Sequence, residues 1–254
     1  MKILLVTQNE PFYLAESFHH LLENLPEGAV LSDAIILPSS PFGKKLSFFQ
    51  RAMHTRAIFG NRFFMRYAIR FLVRKLGRSP SVEDTLRKHG VRTHRIVGSI
   101  NSTENLDFIE GLDADVLLSV AGNQIFKRPL LDIPKICSLN LHTALLPKYR
   151  GLMPSFWVIR NQEIETGVSV FMIDEGIDSG PIVVQKRMNI EGMSQETLIR
   201  DSKLLGMTAI CEAMEKILAG DMTTIDNPED QATYYSFPTR EDVLEFRRVG
   251  GRFF

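Results

Sequence analysis

The chain has 254 residues, 44% hydrophobic and 24% charged, with 30 basic and 30 acidic side chains and a formal net charge of zero. That length suits one large domain with a sizeable core, the balance is that of a globular chain, and total charge singles out no partner. Its 2 cysteines, Cys137 and Cys211, lie in apolar stretches, which excludes a disulfide framework or paired-cysteine metal site and suits buried thiols in a reducing compartment.

The N-terminal "MKILLVTQNEPF" has too short an apolar run for a signal peptide. No segment reaches the roughly 18 uncharged apolar residues of a membrane span. The expectation is a cytoplasmic protein of enzyme size.

"KILLVT" is a continuous apolar run ending in "QNEP", which suits a buried parallel strand and a turn. "YLAESFHHLLENL" carries apolar residues at helical spacing and is closed by Pro26 and Gly28. "AIILPSSP" reads as a second strand. "VEDTLRKHG" is a short helix ended by Gly90, and "HRIVGSIN" reads as a strand. "NLDFIEGLD" is helical, and "ADVLLSVAG" and "ICSLNLH" are two further strands. The alternation predicts a doubly wound α/β fold, a Rossmann-like, mostly parallel sheet with helices on both faces. Ligands in such sheets bind beyond the carboxyl ends of the strands. No glycine-rich phosphate fingerprint follows the first strand, so a nicotinamide dinucleotide is not expected.

Between Asp33 and Glu83 there is no acidic residue, while ten basic ones run from Lys44 to Arg78. In "NRFFMRYAIRFLVRKLG", Arg62, Arg66, Arg70 and Arg74 stand four apart and form one stripe of a helix. A helix docked on the sheet with a solvated basic face accounts for this, with Glu191, Glu196, Asp201, Glu212 and Glu215 available to pair the charges. An anionic substrate, a membrane surface and RNA are the other readings, and the residues alone do not separate them.

The later half carries the chemistry. "SLNLHTALLPKYRG" sets Asn140 and His142 two apart at the end of an apolar run and follows them with a turn. "ETGVSVFMIDEGIDSGPIVVQKRMNI" reads as a strand, a tight loop holding Asp174, Glu175 and Asp178, and another strand. An Asn amide can donate to a developing oxyanion, and a His can donate as imidazolium or move a proton. A neighbouring carboxylate favours the charged imidazole. No Ser or Cys stands in a nucleophile-elbow context, so no covalent acyl-enzyme is expected. No HExxH accompanies these residues, so no metal is expected.

Together these stretches resemble the folate-dependent formyltransferase family, whose members act on methionyl-tRNA, glycinamide ribonucleotide and amino sugars. The family pattern is Asn-x-His, Ser-Leu-Leu-Pro, often Tyr-Arg-Gly, and later an Asp-x-Gly loop. Here these read Asn140, His142, Ala144 to Pro147, Tyr149 to Gly151 and Asp178 to Gly180. The resemblance is close from about Asp115 to Ile190 and looser before it, and Ala144 stands where the family usually has Ser.

The resemblance implies the formyltransferase fold and N10-formyltetrahydrofolate as formyl donor. Asn140, His142 and Asp178 would be catalytic: Asn140 and protonated His142 on the oxyanion, Asp178 keeping His142 charged and helping remove the amine proton. The pterin would lie between Asn123, Gln124, Ile125, Phe126 and the loop Ile173, Asp174, Glu175, Gly176, Ile177, read largely by backbone groups. Residues 1–225 would be the catalytic domain with a basic insertion at about 41–78. Residues 226–254 would be a tail in which "FPTREDVLEF" forms a short helix capped by Thr239. No β-barrel tRNA-binding domain is expected in so short a tail, which argues for a small amine acceptor, first an amino sugar linked to a phosphate or nucleotide, and against tRNA. A formyltetrahydrofolate hydrolase using the same three residues is the alternative enzyme. A folate- or partner-binding module without chemistry is the alternative outside catalysis.

Overall fold

The computed structural model describes residues 1–38, 48–77 and 79–254. Lys44, Lys45 and Arg78 of the basic stretch lie outside the described residues.

The apolar runs form the expected sheet. Strands β1 (Lys2–Gln8), β2 (Val30–Leu37), β3 (Arg92–His94), β4 (Val116–Val120) and β5 (Cys137–His142) pair in parallel. The two-residue β6 (Arg150–Gly151) lies outside it, and β7 (Glu165–Met172) and β8 (Ile182–Asn189) extend it as an antiparallel pair. The sheet order is β3-β2-β1-β4-β5-β7-β8. Connections from β1 run outward through β2 to β3, then return to β4, so β1 and β4 flank the switch point where such sheets hold ligands.

Strand alternation divides the core between the two faces. Ile3, Leu5, Val116, Leu118, Leu139 and Leu141 pack on one face with α1 (Leu14–Asn24), α4 (Val82–Lys88) and the long α8 (Gln195–Leu218). Leu4, Val6 and Leu117 point to the other face, under α5 (Thr103–Glu110) and the short α6 (Arg128–Leu131). Gly206 lets α8 approach β5 closely, since a Cβ there would lie 2.5 Å from the Leu141 side chain.

"HRIVGSIN" is not a strand. The strand here is Arg92–His94, earlier by two residues. Gly98 has φ +79°, which breaks an extended run, yet Ile96 and Ile100 still enter the core from the loop. Their burial imitates the pattern of a strand.

The basic helix forms as α3 (Asn61–Leu76), but it is not docked on the sheet. It buries no residue fully and packs on α2 (Phe48–Phe59). A third core gathers Phe59 with Ala144, Tyr149, Phe156 and Trp157 of the segment around α7 (Pro154–Arg160) and with Val243 and Phe246 of α9 (Arg240–Arg248). Helix α9 is capped as expected: Thr239 accepts from the Asp242 N–H, and Asp242 from the Thr239 N–H, a reciprocal capping box.

Candidate active site

Because Leu139 and Leu141 face α8, Asn140 and His142 face the other side of the sheet. His142 is the last residue of β5 and is buried, while Asn140 is half-buried. No hydrogen bond to the Asn140 amide is found among the described residues, so its donors are left for a ligand.

After β5 the chain turns sharply through a cis Leu146–Pro147 peptide and Tyr149, whose φ is +61°. Ser169, opposite His142 on β7, braces this turn: its hydroxyl donates to Ala144 O at 2.8 Å and accepts from Leu146 N at 3.1 Å. The turn brings the Tyr149 carbonyl to 2.7 Å from His142 Nε2. A carbonyl only accepts, so Nε2 carries the proton, and Nδ1 is the ring nitrogen left for chemistry.

Asp178 meets that nitrogen. Its Oδ2 lies 3.4 Å from His142 Nδ1, with both side chains largely buried. Met172 at the end of β7 pairs with Leu139, so the following loop has to fold back along β5 for Asp178 to reach His142. Three features hold it there. Asp178 Oδ2 accepts the Gly151 N–H at 2.9 Å. Gly180 gives the loop its tight return, since a Cβ there would sit 1.8 Å from Met172 O. The Asn227 amide donates to the carbonyls of Asp178 and Gly180 at 2.9 and 2.8 Å.

No motif in the sequence points to Asn227 in this role. Its carbonyl and side-chain oxygens are gripped by Arg150 Nη2 at 3.1 and 2.9 Å. Arg150 is fully buried and also donates from Nη1 to Glu229 and to the Tyr234 hydroxyl. Those bonds, with the Tyr234 bond to Glu229 first, hold the Glu229 carboxyl below its usual range. Residues 227–235 are thus tied to the Tyr149–Gly151 segment, where β9 (Tyr234–Tyr235) pairs with β6. A Cβ on Gly151, whose φ is +96°, would lie 2.3 Å from Tyr235 O.

The expected pterin segments leave the sheet beside this centre, residues 123–126 from β4 at the switch point. The Asn123 amide donates to Pro38 O, and Gln124 bonds Ile100 N and Gly98 O. Phe126 is a core residue, and Ile173 packs against the same cluster. Asp174 spends one oxygen on the Gly176 N–H and the Ser179 hydroxyl, while Glu175 is exposed. Ile125 and Ile177 are each 57% exposed. These two exposed isoleucines and the backbone groups around them are what the two segments offer a flat aromatic ligand. Among the described residues, no three His, Cys, Asp or Glu side chains gather as a metal site. Burial pushes the Cys137 thiol up to about 11, so at neutral pH it is not a nucleophile.

A family profile described as "Formyl transferase" matches residues 80–213. The methionyl-tRNA formyltransferase of Kosmotoga olearia is 34% identical over 164 residues, covering 64% of this chain and 52% of that protein. The chain thus spans about half the length of the curated relatives it matches. Among solved structures, a sugar N-formyltransferase from a Shewanella species superposes with a TM-score of 0.61 at 16% identity, covering 99% of this chain and 89% of that one. The N-formyltransferase from Helicobacter canadensis, solved with folinic acid and dTDP-3-aminofucose, gives a TM-score of 0.58 at 16% identity, covering 98% of this chain and 80% of that one. At such identities these two structures speak for the fold alone.

Proposed function

The chain belongs to the formyl transferase family, and on that premise we propose that it moves a formyl group from N10-formyltetrahydrofolate to a primary amine, by direct attack at the Asn140–His142–Asp178 centre. The observation that carries this reading is the His142–Asp178 pair at 3.4 Å beside the uncommitted amide of Asn140. The amine lone pair attacks the formyl carbon and the carbonyl pair moves to oxygen, where the Asn140 N–H donors meet it. The amine proton passes to His142 Nδ1, directly or through one water, and Asp178 holds the resulting imidazolium. Collapse of the adduct breaks the bond to N10 of the folate, and that nitrogen leaves with a proton returned from the pair. Held to Tyr149 O through Nε2, the ring acts here as a proton carrier more than as an oxyanion donor.

For the acceptor we propose an amino sugar linked to a nucleotide. The suggestion comes from two proteins that share the fold over nearly all of the chain, one a sugar N-formyltransferase and one an N-formyltransferase solved with dTDP-3-aminofucose; the shared fold admits such an acceptor and does not select it. Residues 1–225 form the catalytic unit in this reading, and 226–254 serve it through Asn227 and the bonds to Arg150.

Transfer to methionyl-tRNA is the second reading. It is favoured by the curated relatives, all methionyl-tRNA formyltransferases among those compared. The expectation against tRNA rested on where the sequence ends and has no structural support. Incubating the protein with N10-formyltetrahydrofolate and, separately, a nucleotide-linked amino sugar, methionyl-tRNA or water decides between the readings. The account expects formyl-amide product with the sugar. Product with tRNA alone moves the assignment to the second reading, and formate release alone makes the protein a hydrolase.

A further inference from the structure

We propose that the corner between α2, α3 and the C-terminal segment is a second ligand site, apart from the His142 centre, that binds a phosphate- or diphosphate-bearing molecule. The site is a cavity of about 480 Å³, within the size range of small-molecule sites. Arg62, Arg66, Arg247 and Arg252 line it, and no acidic side chain does. An adjoining cavity of about 260 Å³ shares its Gly60 and Asn61 wall and adds Arg56 and Arg240.

None of these six arginines has a carboxylate within 4.0 Å among the described residues. The undescribed residues contain no acid at all, so they cannot supply one. Most described arginines elsewhere do pair, Arg87, Arg92, Arg95, Arg150, Arg187 and Arg200 among them, although Arg74 of α3 meets no carboxylate among the described residues. On α3 itself Arg70 finds Glu196 at 2.6 Å, among the described residues the one of the five acids expected to balance the stripe that does so. Six guanidinium groups without an ion pair around one corner repel each other, and an anion bound between them lowers that cost.

The corner is also pre-arranged. Arg247 Nη2 donates to Phe59 O and Arg252 Nη2 to Gly192 O, both at 2.6 Å. Arg66 lies over the Phe254 ring, 4.5 Å from its centroid. The floor is a set of interlocked rings: Phe63 lies 4.9 Å from Phe253, 5.3 Å from Phe254 and 4.7 Å from Phe59. Each anchored guanidinium spends one N–H of its five on the protein and keeps the rest in a fork suited to phosphate oxygens. Lysines would give point charges; this corner gives planar, oriented donors.

The phosphate has two possible sources. Outside the cavity, α3 exposes Met65, Ile69, Leu72, Val73 and Leu76 along one stripe, which suits acyl chains beneath a phosphate headgroup. A soluble nucleotide or sugar phosphate would use the cavity alone.

Calorimetry on the full chain at physiological ionic strength, with pyrophosphate and a nucleoside diphosphate as probes, gives one arm. Flotation with phosphatidic acid vesicles against phosphatidylcholine vesicles gives the other. Both are repeated on Arg62→Gln/Arg66→Gln, two exposed positions whose replacement should leave the melting temperature unchanged. The proposal expects binding that weakens about tenfold or more in the variant. Loss in the calorimetric arm identifies a soluble phosphate, and loss in the vesicle arm alone identifies a lipid headgroup. No binding to any probe overturns the proposal. So does binding that the variant leaves unchanged, or capture of an RNA oligonucleotide with no affinity for pyrophosphate.

Discussion

The carboxyl end of β5 and the α2–α3 corner treat charge in opposite ways. Around β5, each ionic group is held by the chain itself: His142 by a carbonyl and Asp178, Asp178 by a backbone N–H, and Arg150 by Glu229, Tyr234 and Asn227. At the corner, the guanidinium groups meet carbonyls, an amide and ring faces, and no carboxylate among the described residues. The first arrangement fixes each of these groups by partners that the chain itself supplies, so replacing one leaves another buried group short of a partner. The second leaves most of its N–H donors without a carboxylate partner among the described residues.

Substituting arginines from the two regions separates them. Arg150→Gln removes a fully buried guanidinium and leaves Asn227 and the Tyr234 hydroxyl short of partners. Its expected cost is roughly 2–3 kcal/mol, read as a lower urea midpoint with unchanged slope. Asn227→Ala should lower kcat about tenfold, roughly 1.4 kcal/mol, by loosening Asp178. Its folate affinity should stay within about twofold, a split that a general loss of stability would not give.

A third test uses the paired charges at the far edge of the sheet. Burial opposes the charge on Asp33, but bonds from Arg92 at 2.7 Å and His94 at 2.8 Å outweigh it and hold the carboxyl below its usual range. A lowered folded pKa contributes stability above the ordinary value of about 3.9 and loses it as pH falls through the folded value. Wild type should therefore lose more stability than Asp33→Asn between about pH 6 and pH 3, measured by denaturant titration at each pH. The smallest effect belongs to the corner: Arg62→Gln should change stability by less than about 0.5 kcal/mol. If Arg62→Gln costs as much as Arg150→Gln, the distinction between the two regions fails.

Much of the sheet was legible because buried strands write themselves as apolar runs, and Asn140 and His142 stood out as polar residues at alternate positions of one such run. The period of 2 also told that they share a face. "HRIVGSIN" misled because Ile96 and Ile100 are buried from a loop, and burial without regular backbone looks the same in sequence. The clasp around Asp178 could not be read, since Asn227 stands 49 positions away and acts through backbone carbonyls that no motif records. The arginine stripe was visible on α3, but whether distant acids reach it depends on tertiary placement, and among the described residues only Glu196 does so, at Arg70.

In the proposed reaction His142 and Asp178 carry the proton of formyl transfer. The most direct test is single-turnover transfer from labelled N10-formyltetrahydrofolate to the acceptor identified in the panel, by wild type, His142→Ala and Asp178→Asn, with 5-formyltetrahydrofolate affinity measured in parallel. The account predicts rates at least about a hundredfold lower in both variants, with folate affinity and melting temperature close to wild type. Transfer at near wild-type rates in either folded variant would contradict it.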